Sequence, residues 1–160
     1  MKQTFILLAL LSTLFVNSQT SIPRFVKLTK NEINFLEVTY NWKSDKVLIL
    51  NISMPKARCH YDNYKDLSSS KKWWTKFYEK VNLKNAENRF IYSDYENAKS
   101  IIDNKTYFLD IDNYILKEFF SNDKVCFGVV VIDKSGNFKY KAGEYSEFEV
   151  DNFVDELLKI

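Results

Sequence analysis

Chemistry in this chain would have to start at Cys59 and His60. Cys59 is one of two cysteines and His60 is the only histidine. Arg58 precedes them, so a thiol here has a cation on one side and an imidazole on the other. Both favour the thiolate, the form that attacks disulfides and peroxides. Cys126 is the other cysteine and lies far along the chain, so it could serve only as a distant resolving partner. There is no CxxC pair, no nucleophile elbow and no Gly-rich phosphate loop. Cys59, His60 and Asp62 have no second ligand pair at metal-binding spacing, so no metal site and no cofactor are expected. Asp94, Asp110 and Asp112 read as helix caps rather than as an acid–base pair.

These residues follow the most apolar stretch of the chain. Val47, Leu48, Ile49, Leu50 and Ile52 lead into Met54-Pro55. So continuous a run predicts a strand over Lys46–Ser53 buried on both faces, as at the centre of an α/β sheet. Residues 54–60 then sit at its carboxyl end, on the rim where such sheets place their chemistry. A helical region follows over Tyr61–Val81, with Ser68–Ser70 as a potential break. Trp73, Trp74, Phe77, Tyr78 and Val81 recur there at helical spacing, and both tryptophans read as core anchors.

Other elements must hold that strand in place. Arg24–Thr29 and Glu32–Val38 alternate loosely around Lys30-Asn31, which predicts an N-terminal β-hairpin. Arg89–Ser93 reads as an interior strand, Asp94–Ile102 as a capped helix, and Thr106–Leu109 as a short strand. Asp112–Phe120 reads as one or two helical turns. Val125–Ile132 is a second strongly apolar strand. Asp133-Lys134-Ser135-Gly136 predicts a hairpin turn with Gly136 at positive φ. Asn137–Ala142 alternates as an edge strand, with Lys139 and Lys141 on one side discouraging further pairing. Ser146-Glu147-Phe148-Glu149 is a capping box, with Tyr145 and Val150 as a hydrophobic staple. Val150, Phe153, Val154, Leu157 and Leu158 then mark one buried helical face.

With 160 residues, 46% of them hydrophobic, the chain can bury one ordinary core. The opening has Lys2, an apolar stretch over Phe5–Val16, and Val16-Asn17-Ser18, which fits signal-peptidase cleavage after Ser18. The apolar stretch falls short of the roughly 20 residues that a membrane span needs. Residues 1–18 are thus read as a signal peptide and residues 19–160 as one domain. That places the protein in the periplasm or outside the cell, with no membrane contact after cleavage. Of 23 basic and 21 acidic residues, cleavage removes Lys2 alone. A near-neutral mature chain argues against nucleic acid as a partner. In an oxidising compartment, an even cysteine count makes a Cys59–Cys126 disulfide plausible.

Two segments carry a family resemblance. DKVLILNISMP resembles the strand that enters the active site of secreted thioredoxin-like proteins. VVVIDKSGNFKYKAGEYSEFEVDNFVDELL resembles their closing hairpin and final helix. The resemblance spans nearly all of residues 24–160 and fits the cytochrome-maturation and redoxin branch. It implies a three-layer α/β/α fold with a mixed central sheet and an N-terminal hairpin. It also implies redox cysteines at Ala57 and His60, counted from Asn51, and a cis-proline at Phe127. This chain has none of the three, so its active-site motif is degenerate. The resemblance brings Cys126 near Cys59, which implies a disulfide across the rim. Closing a loop of about 70 residues, it would contribute on the order of 4 kcal/mol in the chain-entropy description.

Two functional readings follow. In the first, the chain is a binding or redox-accessory protein that keeps the family's peptide groove. Met54, Pro55, Tyr61, Tyr64 and Phe127 are the candidate lining residues, and a protein or peptide is the partner. In the second, Cys59 acts alone as a thiol–disulfide or peroxidase-like nucleophile, with Arg58 and His60 lowering its pKa. Whether the protein is an enzyme stays open between them.

Overall fold

Five strands form one mixed sheet in the order β3-β2-β1-β4-β5. They are β1 (Val47–Ser53), β2 (Ala86–Tyr92), β3 (Tyr107–Leu109), β4 (Phe127–Ile132) and β5 (Phe138–Ala142). The computed structural model describes residues 27–54, 66–121 and 125–160. Strand β1 is central and buried along its whole length, as its unbroken apolar run predicts. It runs parallel to β2, and β2 parallel to β3. On its other side β4 pairs antiparallel, and β5 pairs antiparallel with β4.

Helices cover both faces. Helices α2 (Leu67–Tyr78), α3 (Tyr95–Ala98) and α5 (Glu147–Leu157) close one core with Val47, Ile49, Val129 and Val131. Helices α1 (Lys30–Thr39) and α4 (Tyr114–Phe119) close the other, with Leu48, Leu50, Ile52, Val130 and Ile132. This is the α/β/α layering that the resemblance implied. The segment from β1 through α2 to β2 is a parallel crossover, and the β4–β5 hairpin and α5 complete the domain. Among the described residues, no helix is long and apolar enough to cross a membrane.

Local signals in the sequence account for most of the boundaries. Asp94 caps α3 through the Asn97 amide. Ser146 and Glu149 form the expected capping box of α5. Gly136 takes φ 89° in the β4–β5 turn. Its Cβ would lie 2.4 Å from the Leu28 carbonyl oxygen, so only glycine fits there.

Four expectations need correction. Residues 32–38 are not a strand of an N-terminal hairpin, since Lys30–Thr39 is helix α1. Thr29 and Glu32 form a reciprocal capping box, and Ile33 and Leu36 face the core at helical spacing. Val38, which completed the apparent alternation, is 76% exposed. Of the hairpin's other arm, residues 24–26 lie outside the described residues, and Lys27, Leu28 and Thr29 are not in a strand. Next, Ser68–Ser70 do not break the helical region. They lie inside α2, which starts at an Asp66 cap. Finally, Trp73 is not a core anchor. Neighbours on a helix point about 100° apart, so Trp74 is buried at 5% exposure while Trp73 stands 56% exposed. Helix α3 is also shorter than expected. It stops at Ala98, and the Asp103 carboxylate then accepts from the Lys105, Thr106 and Tyr107 amides at 2.8–2.9 Å.

Helix α1 is fastened to the β4–β5 turn by a lysine. Lys134 Nζ sits 2.6 Å from the Glu37 carboxylate and 3.9 Å from the centre of the Trp42 ring. On the β2 side, Arg89 donates to the Tyr40 carbonyl at 3.0 Å and the Asn41 carbonyl at 3.3 Å, closing the end of α1.

Candidate functional site

The carboxyl ends of β1, β2 and β3 meet the start of β4 at one rim, because three strands are parallel and the fourth returns. Backbone bonds hold this rim closed. Met54 N–H donates to the Cys126 carbonyl at 2.7 Å, and Ser93 N–H to the Ser53 carbonyl at 3.1 Å. Gly143 N–H donates to the Phe127 carbonyl at 2.9 Å. The end of β1, the start of β4 and the loop before α5 are therefore immediate neighbours.

A polar group sits just beneath. Asn51, only 2% exposed, occupies the middle of the apolar strand β1. Its Oδ1 accepts from the Tyr78 hydroxyl of α2 and, at 2.8 Å, from the Tyr145 hydroxyl ahead of α5. Its Nδ2 donates to Asn88 Oδ1 and, at 3.0 Å, to the Arg89 carbonyl. One amide thus ties two helix-bearing segments and the neighbouring strand together, with every polar atom engaged. Burial pushes the Tyr78 hydroxyl pKa well up, so it stays a neutral donor.

Aromatic rings cover this amide on the rim side. Trp74 stacks on Tyr145 with ring centres 5.5 Å apart and meets Phe127 edge-on at 5.8 Å. Phe77 meets Tyr145 at 5.6 Å, and Phe127 meets it at 6.0 Å. Phe127 and Tyr145 are half-buried, and Trp73 lies against Trp74 and Phe77 on the outside. Such a surface suits apolar or aromatic contacts.

A second buried polar group lies beyond β3, on the face covered by α1 and α4. Asp110 is 3% exposed, and its two oxygens accept from the Ile115 and Leu116 amides, each at 2.9 Å. Burial raises its pKa, opposed by those two amides. The Tyr40 hydroxyl is close enough to feel this carboxylate, which adds to the burial that raises its own pKa. It makes no hydrogen bond of standard geometry. Asp110 thus satisfies two amides of the first turn of α4 from the residue that follows β3, although Asn113 holds the N-cap position of that helix. Asp112 is within the 3-10 turn before α4, at φ 53°.

Of the residues that the sequence singled out, Arg58, Cys59, His60, Pro55, Tyr61 and Tyr64 lie outside the described residues. Cys126 immediately precedes β4 at the rim and carries no free thiol. Met54 and Phe127 are adjacent along the rim but do not line one groove. Met54, 3% exposed, belongs to the core under α1 and α4, whereas Phe127 packs against the core under α2 and α5. The sheet separates them, because residue 54 continues the alternation of Leu50 and Ile52. Sequence reading took Asn51 as a counting point and missed its network. The available signal was an asparagine inside a strand too apolar to leave it unpaired.

No family model matches this chain, and no curated protein matches it. Among solved structures, it is similar to a Neisseria meningitidis protein studied in solution and provisionally assigned as a thioredoxin. That likeness covers 72% of this chain and 77% of the other, at 18% identity and a TM-score of 0.47.

Proposed function

We propose that this chain is an exported thioredoxin-like domain that works as a binding or redox-accessory protein, its rim bridged by a Cys59–Cys126 disulfide. The carrying observation is the 2.7 Å bond from Met54 N–H to the Cys126 carbonyl. It puts Cys126 beside the end of β1, and Cys59 follows Met54 by five residues. Cys126 has no free thiol, and the chain has one other cysteine, which supports the pairing. A bridged rim leaves no resting thiolate for nucleophilic attack. What remains on the α2–α5 side is the half-buried surface of Phe127 and Tyr145 over Trp74, suited to an apolar peptide side chain.

Intact mass before and after reduction tests the bridge. The expected result is a shift on reduction in the mature chain, with no thiol alkylated beforehand. Two alkylatable thiols in the non-reduced protein would refute it. Insulin reduction with a dithiol donor and peroxide consumption test the rest. Neither activity is expected. Turnover that is lost in Cys59→Ser but kept in an exposed-loop control, Lys105→Ala, would instead favour Cys59 as a nucleophile.

A further inference from the structure

We propose that the outer side of α2 takes an acidic peptide, with an apolar side chain on Trp73 and carboxylates against Lys72 and Lys76. This rests on the binding role proposed above and names the chemistry of the partner. Trp73, 56% exposed, extends the aromatic surface outward. Its ring centre lies 4.6 Å from Trp74 and 5.5 Å from Phe77, and both of those rings meet Tyr145. Phe127, Tyr145, Trp74, Phe77 and Trp73 are thus one connected set of rings, and Trp73 is its open end. Two buried rings hold the indole from beneath, so little side-chain freedom is lost when a ligand covers it.

Cations frame that ring. Lys76 lies about 60° around the helix from Trp73 and Lys72 about 100°, both on the exposed side. Among the described residues neither has an ion-pair partner. The acids of this helix and its neighbour are engaged or turned aside. The Asp66 carboxyl is held low first by the Ser69 hydroxyl and amide, the latter at 2.9 Å, and last by Lys72. Glu147 pairs with Lys80 at 2.8 Å. Glu79, at the end of α2, lies about 120° around the helix from Trp73. An apolar ring beside two uncompensated ammonium groups is complementary to an apolar side chain flanked by carboxylates.

The surroundings favour a narrow ligand over an anionic bilayer. Helix α5 begins beside the end of α2, where Lys80 meets Glu147 and the Asn82 amide donates to Asp151 at 2.8 Å. Glu144 and Asp155 are exposed on that neighbouring segment. A broad anionic surface laid on Trp73 would meet these acids as well, whereas an extended peptide can follow α2 alone.

Nuclear magnetic resonance titration of the intact, non-reduced chain tests this. The readout is the Trp73 indole N–H. The control is that of Trp42, which is fully buried and donates to the Lys46 carbonyl. The probes are three blocked pentapeptides with a central phenylalanine, flanked by aspartate and glutamate, by asparagine and glutamine, or by lysine. The expected result is a shift at Trp73 and none at Trp42. The acidic peptide should bind about fivefold more tightly than the neutral one, the order that two exposed ion pairs supply. That advantage shrinks in high salt. In the double variant Lys72→Glu, Lys76→Glu the lysine peptide becomes the tighter ligand. Equal affinity for the acidic and neutral peptides overturns the proposal and leaves the binding role standing, as does a preference unchanged by the charge reversal. No shift with any peptide overturns both. Loss of the Trp73 signal on phosphatidylglycerol vesicles, with no response to peptides, overturns the proposal by giving this face to a membrane.

Discussion

The two faces of β1 differ in kind. Leu48, Leu50 and Ile52 point under α1 and α4 and belong to the apolar cluster there. Val47 and Ile49 do the same on the opposite face, but the next two inward residues there are Asn51 and Ser53. Within β1 itself, buried polar side chains are therefore confined to one end of one face, beneath the rim. A dry face is held by shape and area alone, and it tolerates swaps of similar volume. A face built around one amide is held by partners that must all be present at once. The comparison teaches that α2 and the loop before α5 are bonded directly to a side chain of β1, whereas α1 and α4 meet β1 through packing and take their polar ties from Lys134, Arg89 and Asp110.

Substitutions on each face can break that comparison. The largest effect is expected for Asn51→Leu. It strands the buried Tyr78 hydroxyl, the Asn88 side chain and the Arg89 carbonyl, at about 1–3 kcal/mol for each group left unpaired. Denaturant unfolding checks this, and adding Tyr78→Phe should recover part of the loss because the orphaned hydroxyl is then gone. A neutral Asn51→Leu would erase the distinction between the faces. Leu50→Ala, fully buried on the dry face, should cost about 2–5 kcal/mol by the same measurement, with no partner substitution able to rescue it.

Gly128→Ala sharpens the dry side. A Cβ there would lie 2.4 Å from Phe120 Cε1 and 2.9 Å from the Lys141 carbonyl, so overpacking should cost about 1–3 kcal/mol. Tyr145→Phe removes one of the two hydroxyls on Asn51 and keeps the stacked ring. It should cost about 1 kcal/mol, because Tyr78 still donates to the same oxygen.

The smallest effect concerns Glu149 at the start of α5. Its carboxyl is held at about 2, below its ordinary 4.5, first by Lys141 and then by the Ser146 amide and hydroxyl. A depressed carboxyl stabilises the fold above 4.5, and that contribution disappears as pH falls from 4.5 toward 2. Glu149→Gln should therefore lower Tm at neutral pH and match the parent near pH 2. An equal Tm difference at both pH values would show that the ion pair carries none of it.

Legibility followed the range of the interactions. Strands β1, β2, β4 and β5 and helix α5 were readable because burial along a strand or a helical stripe is written into consecutive residues. Asp94, Gly136 and the Ser146–Glu149 box were readable because their partners lie within four residues. Helix α1 was misread although its capping box was present. Ile33, Phe35 and Val38 imitate a strand, and only Val38's exposure shows which period operates. The two tryptophans could not be separated by type, since either could have taken the core. At the site, Met54 and Phe127 looked like co-lining residues because both neighbour the rim. Which face each side chain takes depends on strand register, a property of the assembled sheet.

The amino-acid sequence by itself determined the kinds and order of elements from β1 onward, since helical and strand periods and their caps act over a few residues. It also determined the chemistry within reach: two cysteines, one histidine, and an asparagine in an apolar strand. Only the tertiary structure decided what Asn51 does. Its side-chain partners Tyr78, Asn88 and Tyr145 lie 27, 37 and 94 residues away. Such pairings exist only once β1 has taken β2 and β4 as neighbours and the helices have closed over that face. A buried amide can be satisfied by many donors, and the chain alone does not say which ones the folded sheet will bring to it.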